Sequence, residues 1–444
     1  MPYDFEEYET AKTCPKDQLP DWAQGRYLNE VGFCRDFLAF YPMVYSEDQF
    51  FSQDGQLSMS AVRKMVFDYL SNFVSTSLGS KVNALMETLK LRCQVPELAI
   101  SETKIHCGNG YFDLMQDRFE PFMDYCRFRL PVCYNAEAPE PVLWLRFLRD
   151  LLEEADIVTL QEYIGYCLLP VNYGQKMLLI IGNGGEGKSR IGVVLQKLLG
   201  SNLVNGSIAK LEASPFARAD LQNRLLMVDD DLQLEGLKST NHIKSIISAE
   251  TPMDLERKGI QSYQAKLYCR LMAFGNGSLQ ALHDRSYGFF RRQIILTAKP
   301  RPRDRVDDPY LAVAICNEEL EGIFLWAIEG LLRLVNNNMK FTLSKASRKN
   351  LLSAMGEGNN ILDFMKSQGY IRQDAQGSIT SRSMYNAYRD WCEDNMLTPL
   401  AAKTFISWLI QHAWEYNILY DTNIVDTNGR RVRGFRGMTR ARDF

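Results

Sequence analysis

The chain has 444 residues, more than one hydrophobic core usually serves, so roughly two to four domains are expected. Its formal net charge is −3 and its composition is typical of globular proteins, so any nucleic-acid surface must be local. No apolar run approaches the ~18 residues of a membrane helix, and the N-terminus lacks a signal-peptide pattern, so we expect no membrane partner.

The ten cysteines form no C-x-x-C motif, which favours reduced thiols of a cytoplasmic protein. The residues that come nearest to a metal-ligand cluster are His106, Cys107, Cys126 and Cys133, but their spacing fits no common zinc pattern.

The first hundred residues are predicted to be mainly helical. Aromatic residues around Asp54-Gly55 indicate a hairpin between Tyr45 and Leu57. The stretch from Ser58 to Cys93 then predicts two amphipathic helices divided at Gly79.

The following stretch predicts an extended region and then a helix. Ile105–Asp113 is the extended region, with a turn at Asn109-Gly110, and Leu143–Cys167 is the helix. Between them lies a predicted linker marked by Pro131, Pro139 and Pro141.

The segment from residue 182 to 189 has the pattern G-x-x-x-x-G-K-S. Lys176–Ile181 before it predicts a buried strand, and Arg190–Leu199 after it predicts a helix that ends at Gly200. Such a loop cradles phosphates, because its N–H groups and the helix N-terminus converge on them. The alternative is a glycine-rich turn that matches by chance. The predicted ATP-binding residues are Gly182, Asn183, Gly184, Gly185, Glu186, Gly187, Lys188 and Ser189.

Two acidic residues follow a second predicted strand, 224–228. Lys188 would reach the β- and γ-phosphates, and Ser189 would ligate Mg²⁺. Asp229 would hold the same Mg²⁺ through its hydration shell, and Asp230 would polarise the attacking water. The alternative is an acidic loop after a strand. ATP and Mg²⁺ are therefore the predicted cofactors.

A third predicted strand, 267–276, ends in Asn276, whose amide would contact the γ-phosphate and the water. Taken alone, such an Asn is more often a turn residue. Arg291 and Arg292 precede a further strand, Gln293–Leu296. Arginine pairs are usually solvated, but here one could reach the γ-phosphate of a neighbouring subunit, as arginine fingers do. That arrangement requires a head-to-tail ring or filament.

The last part of the chain predicts a basic segment, Lys299–Arg305, an apolar helix at Glu321–Gly330, and then three helices and a hairpin from about Phe341. The hairpin strands are predicted around Ile418–Val425 and Val432–Met438, with a turn at Asn428-Gly429. The basic residues of this tail favour nucleic-acid contact, and the alternative is a solubilising tail. These residues are Arg430, Arg431, Arg433, Arg436, Arg440 and Arg442.

From Gly182 to Arg292, the order of phosphate loop, acidic strand, basic hairpin, Asn and arginine pair resembles the superfamily 3 helicases. These are ring-forming AAA+ motors of viruses, phages and plasmids, and the nearest branch is that of the phage and plasmid primase-helicases, which includes the poxvirus primase-helicase. Four further segments resemble parts of that branch outside the core: Ile105–Asp113, Pro131–Pro139, Leu160–Leu168 and Glu321–Trp326.

The resemblance implies an α/β fold built on an AAA+ P-loop ATPase core. The implied domains are a helical N-terminal domain at 1–100 for oligomerisation or partner contact, a pre-ATPase region and linker at 101–155, the ATPase core at 156–300, a helical post-core segment at 301–340, and a winged-helix-like DNA-binding domain at 341–444. Thr380–Glu393 and Ala401–His412 would be two winged-helix helices, with Phe405, Trp408 and Leu409 facing its core.

The resemblance also implies the residues that contact DNA. Thr251–Gln264 is similar to the hairpin that projects into the ring channel, with Lys258 near its tip beside Arg257. Arg430, Arg431 and Arg433 would lie on the wing. The family's spacing favours Arg292 over Arg291 as the finger. Ala249-Glu250 departs from the family, which usually has paired glycines there.

The implied function is that of an ATP-dependent DNA helicase, hexameric and moving 3′ to 5′, which replicates a phage, plasmid or other mobile element in the cytoplasm at the nucleoid. Its partners would be DNA, further copies of itself, and a separate primase or polymerase, since too few residues precede the core for a primase domain. The alternative is an ATP-switched origin-binding initiator or helicase loader, which would not need the Lys258 hairpin. A nucleotide kinase or GTPase lacks support, because no N-K-x-D motif occurs.

Overall fold

A computed structural model describes residues 19–24, 27–232, 239–276, 287–302, 308–358, 360–367, 369–395, 397, 399–426 and 429–441. Asn428 and Arg442, named above, lie outside these ranges. The chain forms two compact units, one made of 19–232, 241–276 and 292–347, the other of 239–240, 287–291 and 348–441. No helix in the described ranges is long and apolar enough to cross a membrane.

The first unit begins with a helical part that has its own core. Its elements are α1 (Asp21–Gln24), α2 (Glu30–Phe40), β1 (Val44–Ser46), β2 (Gln49–Ser52), β3 (Gly55–Leu57), α3 (Met59–Ser71) and α4 (Leu78–Arg92). The hairpin at Asp54-Gly55 is confirmed as β2–β3, and β1 adds a third strand. The division at Gly79 is wrong, because α3 ends before Asn72 and Ser77 starts α4 from a left-handed conformation with φ 55°.

A small antiparallel sheet and two helices follow: β4 (Lys104–Cys107), β5 (Gly110–Asp113), β6 (Arg118–Glu120), α5 (Val142–Leu151) and α6 (Glu154–Tyr166). The turn lies at Gly108-Asn109, one residue before its predicted place, because Cys107 pairs with Gly110. The single helix predicted from Leu143 is divided at Leu152, which is extended and fully buried. The segment around Pro131 was predicted as a linker, but its neighbours Phe128, Leu130 and Val132 are buried in the core.

The centre of this unit is a five-stranded parallel sheet in the order β13-β7-β12-β9-β8. Its strands are β7 (Met177–Gly182), β8 (Leu203–Asn205), β9 (Leu226–Asp229), β12 (Arg270–Asn276) and β13 (Gln293–Thr297). Four predicted strands are confirmed. Three of them precede the phosphate loop, the two aspartates and Asn276, and the fourth follows the arginine pair. Most residues of these strands are buried, as expected when helices cover both faces of a parallel sheet. The carboxyl ends of all five strands therefore lie along the same edge of the sheet.

The remaining elements of this region complete both faces and add one hairpin. They are α7 (Ser189–Leu199), α8 (Ile208–Ala213), α9 (Pro215–Ala219), α10 (Asn241–Ser248), β10 (Met253–Arg257), β11 (Ile260–Ala265), α12 (Leu311–Glu318) and α13 (Leu320–Asn336). The short helix α11 (Tyr287–Phe290) belongs to the second unit. The helix predicted at Arg190–Leu199 is confirmed as α7, with Gly200 as its C-cap. The helix predicted at Glu321–Gly330 is confirmed as part of α13.

The second unit contains α14 (Lys345–Gly358), α15 (Ile361–Lys366), β14 (Ile371–Thr380), α16 (Ser381–Asp394), α17 (Ala402–His412), β15 (Leu419–Val425) and β16 (Arg431–Arg440). Its antiparallel sheet has the order β14-β16-β15. The two named helices and the hairpin are confirmed, and Phe405 and Leu409 are buried. The expectation of three helices was wrong, and β14 was missed because only Ile371 and Ile379 are buried along it, which gives no alternating apolar pattern.

Candidate nucleotide site and nucleic-acid surfaces

The loop between β7 and α7 depends on its glycines. Gly184, Gly185 and Gly187 have φ of 101°, 81° and 100°, which residues with a side chain rarely adopt. At Gly182, a Cβ atom would lie 2.7 Å from both Glu186 Oε1 and Lys188 Nζ. The loop therefore folds tightly around two of its own charged groups.

Glu186 holds this loop from within. Its side chain is 2% exposed, and its carboxylate accepts the N–H groups of Asn183 and Gly184 and, at 2.7 Å, the ammonium of Lys188. Burial alone would raise the pKa of Glu186, but the Lys188 bond and the loop N–H groups outweigh it and lower that pKa below its ordinary value. The sequence predicted Glu186 as a residue of the ATP-binding loop. It did not indicate that the Glu186 carboxylate binds the loop N–H groups and Lys188.

Lys188 links the loop to the neighbouring strand. It is 6% exposed, and its Nζ also donates to Asn276 Oδ1 at 3.1 Å. This contact follows from the sheet, because β12 lies beside β7 with Asn276 paired to Gly182. The structure thus brings together two residues that are far apart in sequence and were both predicted as site residues.

The two acids after β9 have different surroundings. Asp229 is buried, and its carboxylate accepts the N–H groups of Ile208 at 2.7 Å and Asp231 at 3.3 Å. Burial raises the pKa of Asp229, although these two N–H groups oppose the shift. Asp230 is exposed and lines the same cavity as Ser189.

A cavity of about 280 Å³ lies where the loop meets the carboxyl edge of the sheet. Lys188, Arg190 and Arg301 line it with the Asp230 carboxylate, and such an excess of cations suits a polyphosphate. The Ser189 hydroxyl and the Asp230 carboxylate offer the hard oxygen ligands that Mg²⁺ prefers. Arg301 also lines it and was missed by sequence reasoning, where the only signal was the basic segment Lys299–Arg305. The lining residues are Gly184, Gly185, Gly187, Lys188, Ser189, Arg190, Asp230, Phe274, Asn276 and Arg301.

A second, more apolar cavity of about 690 Å³ adjoins the first and shares Ser189 and Asp230 with it. It lies between α7 and α12, where Val193 and Val313 are both more than half exposed. The candidate nucleotide site therefore combines a polar cavity with an apolar one.

Arg292 lies away from this loop. The carbonyl of Arg292 accepts the N–H of Met177, the first residue of β7, at 2.8 Å. Arg292 is therefore at the amino edge of the sheet, opposite the edge that carries the loop. Arg291 is exposed and belongs to the second unit. The structure does not bring Arg292 to the phosphate loop of its own chain.

The hairpin β10–β11 exposes a cation at its tip. Arg257 pairs with Ile260, so Lys258 and Gly259 form the turn, with Gly259 at φ 77° and Lys258 exposed. Arg257 donates to Gln222 Oε1 at 3.0 Å, which fixes the hairpin against the chain after α9. A groove of about 710 Å³ beside it is lined by Arg224, Arg257 and Lys258, and also by residues of β2, β3 and α3.

The β15–β16 hairpin of the second unit also exposes arginines. Arg430, Arg431 and Arg433 are exposed, and the backbone N–H of Arg430 donates to Asp426 Oδ1 at 2.7 Å. Two other arginines of the predicted basic tail are in ion pairs, Arg436 with Asp421 at 2.6 Å and Arg440 with Asp390 at 2.8 Å. The basic character is therefore concentrated at the turn end of the hairpin.

The His and Cys residues near β4 do not come together as a quartet. His106 lies with Asp124 and Cys126, with candidate ligand atoms within 4.8 Å of one another. Arg129 already pairs with Asp124 at 3.2 Å, and burial raises the pKa of Cys126 to about 12. Asp124 Oδ2 also lies 3.3 Å from His106 Nε2, so these side chains form a hydrogen-bonded cluster.

Comparison with known proteins gives one family and one fold. Residues 180–292 match a family described as "Family of unknown function (DUF5906)", a match well short of half the chain. No curated protein matches the sequence. The A form apo structure of the NrS-1 C-terminal region aligns with a TM-score of 0.52 at 12% identity, over 91% of this chain and 98% of that one. This chain shares the fold of that region. A further apo structure of that region, residues 305–718, aligns with a TM-score of 0.48 at 12% identity, with the same two coverages.

Proposed function

We propose that this protein is an ATP-dependent DNA helicase whose subunits form a hexameric ring, as in the superfamily 3 helicases. The observation that carries the proposal is the cavity at the carboxyl edge of the sheet, where Lys188, Ser189, Asp230 and Asn276 meet. A cationic lysine, a hydroxyl, an acid and an amide are the groups that hold a triphosphate, its metal and the attacking water.

In this site the chain's own groups would bind and orient the nucleotide. The loop N–H groups and the α7 N-terminus would hold the phosphates, and Lys188, kept in place by Glu186, would face the β- and γ-phosphates. Ser189 with Asp229 and Asp230 would hold Mg²⁺, which when bound neutralises phosphate charge and aligns the terminal phosphate. Asn276 and Asp230 would orient and polarise water.

Two surfaces would contact DNA. The exposed Lys258 at the β10–β11 tip, with Arg257 beside it, would meet the backbone of a single strand, because a flexible cation binds phosphate regardless of sequence. In the second unit, three helices α15, α16 and α17 with a three-stranded sheet support a winged-helix domain. Arg430, Arg431 and Arg433 would contact duplex DNA from its wing.

The position of Arg292 supports assembly. It lies at the opposite edge of the sheet from the loop of its own chain, so it would complete a site only on a neighbouring copy. That relation is head-to-tail, which is the kind of interface from which a ring is built. Replication of a mobile element, with a separate primase or polymerase, completes the proposal.

The test is ATP-dependent unwinding of a forked DNA duplex, with Lys188→Ala as control. We expect the wild type to separate the strands and the variant to fail, because the buried ammonium that faces the phosphates is lost. Forks with a single 3′ or 5′ tail would give the direction. ATP-dependent binding of duplex DNA without unwinding would instead favour an initiator or loader. Absence of any ATP turnover by the wild type would refute the proposal.

A further inference from the structure

We infer that Arg301 is a phosphate-binding residue of its own chain's nucleotide site and contacts the terminal phosphate of the bound triphosphate. The inference rests on the proposed ATP site and adds to it a cation from the same chain, distinct from Arg292.

The chain path brings Arg301 to the loop. β13 runs parallel to β7, and just beyond it the N–H of Ala298 donates to the carbonyl of Ile181 at 2.7 Å. The N–H of Lys299 then donates to the carbonyl of Leu151 at 2.8 Å. The segment that carries Arg301 is therefore anchored at the carboxyl edge of the sheet, the edge from which the phosphate loop also leaves.

The side chain reaches over the loop itself. Arg301 Nη1 lies 3.6 Å, and its Cδ 3.9 Å, from the point that a Cβ on Gly185 would occupy. Arg301 also lines the cavity together with Lys188, Ser189 and Asn276. A guanidinium at this place is within reach of any phosphate that the loop holds.

The neighbouring groups assign the phosphate. Lys188 and Asn276, which would face the terminal phosphate, are hydrogen-bonded to each other at 3.1 Å, and both line the cavity together with Arg301. The phosphate that Arg301 would contact is therefore the terminal one. A guanidinium keeps its charge at every physiological pH and can donate two parallel hydrogen bonds to a phosphate.

Two arginines would then serve one site from two chains. Arg301 comes from the chain that holds the nucleotide, and Arg292 lies at the opposite edge and would come from a neighbour. Because ADP lacks the terminal phosphate, Arg301 would make the site distinguish ATP from ADP before any neighbour docks.

Nucleotide binding by Arg301→Ala tests the contact. We expect its affinity for a non-hydrolysable ATP analogue to fall roughly tenfold or more, and its affinity for ADP to stay within about twofold of wild type, since one charge-assisted contact is lost. Arg301→Lys, which keeps the charge, should recover part of the loss. Arg118→Ala is the matched control, because Arg118 is an exposed arginine of β6 paired with Glu120. Unchanged affinity for the ATP analogue, or an equal loss for both nucleotides, would overturn the inference.

Mixing of variants tests which chain supplies the arginine. Arg301→Ala mixed with Lys188→Ala should show no more ATP turnover than Arg301→Ala alone, since every intact loop then lacks its own Arg301. Arg292→Ala mixed with Lys188→Ala should regain turnover, because some intact loops meet an intact Arg292. Recovery in the first mixture would refute an action within one chain. A wild type that binds neither nucleotide would overturn the proposed ATP site, and this inference with it, whereas normal wild-type binding with an unaffected variant overturns only the role of Arg301.

Discussion

Asp229 and Asp230 are adjacent in the chain, yet their environments differ at the level of single atoms. The Asp229 carboxylate is buried on two backbone N–H groups, one of which starts α8, so it holds the end of β9 in place. Asp230 is exposed to the cavity that Ser189 lines. A strand that ends in two acids does not reveal from its sequence which one faces the ligand.

We expect Asp230→Asn to reduce Mg²⁺-dependent ATP turnover about a hundredfold or more, with a melting temperature within ~2 °C of wild type, because its carboxylate has a site role and no structural one. Asp229→Asn should lower both the ATP turnover and the melting temperature. Its amide keeps only one acceptor oxygen, so one of the two backbone N–H groups loses its partner, at a cost of about 1–3 kcal/mol. Turnover against Mg²⁺ concentration and thermal unfolding measure the two effects. Full turnover by Asp230→Asn would contradict this division.

At the scale of elements, α6 and α13 cross where glycines leave no room for a side chain. A Cβ on Gly165 would lie 2.3 Å from the carbonyl oxygen of Ala327, and one on Gly330 would lie 2.5 Å from that of Gln161. Beside this crossing, the fully buried Glu162 accepts Arg333 at 2.8 Å and the N–H of Thr342 at 2.7 Å. These contacts hold α6 and α13 together in the core of the first unit.

Gly330→Ala is expected to destabilise the protein by about 1–3 kcal/mol, because the added methyl group meets backbone that cannot move without separating the helices. Gly79→Ala is the matched control, since no atom lies within 4 Å of its Cβ position in α4 and alanine favours a helix. Thermal or denaturant unfolding of both variants measures the difference. Equal stability of the two would show that the crossing is not tight.

The β10–β11 hairpin presents Lys258 at its turn, and we expect Lys258→Ala to keep basal ATP turnover while losing stimulation by DNA and strand separation. The lysine lies outside the nucleotide cavity, so only the contact with the DNA backbone is removed. Lys266→Ala is the control, because Lys266 is an exposed cation at the foot of the same hairpin. Unwinding by Lys258→Ala at the wild-type rate would refute the channel role.

At the scale of the whole molecule, the parallel sheet separates two parts of the proposed catalytic site. The phosphate loop lies at the carboxyl edge and Arg292 at the amino edge, so a single chain would hold both parts without joining them. An assembly in which each copy turns its Arg292 edge to the next copy's loop would complete every site.

We expect Arg292→Ala to assemble and bind ATP as wild type does, while turnover falls by roughly 10³ to 10⁵, the usual effect of removing an arginine finger. Sedimentation of the variant with nucleotide and steady-state ATPase assays check this. Arg291→Ala is the control, since it changes the adjacent exposed arginine. Normal turnover by Arg292→Ala, or a larger loss in Arg291→Ala, would refute the assignment to Arg292.

From local signals, the sequence by itself determined four of the five parallel strands, the glycine loop, and the β2–β3 and β15–β16 hairpins. It did not predict β8, and the β10–β11 hairpin followed from the family resemblance. Apolar runs that end in Gly182, Asp229 and Asn276 predicted the strand ends, and glycines of the loop predicted a turn that other residues rarely adopt. Where the local signal was weak, prediction failed, as for β14 with its few buried residues and for the start of α4 at Ser77.

Only the tertiary structure decided which side chains share a site. The strand order places β12 between β7 and β9, which brings Asn276 to Lys188 across 88 residues of chain. The same order leaves Arg292 at the far edge and returns Arg301 to the loop. Strand order and the path after each strand depend on long-range packing of nearly uniform apolar faces, so no local pattern in the sequence encodes them.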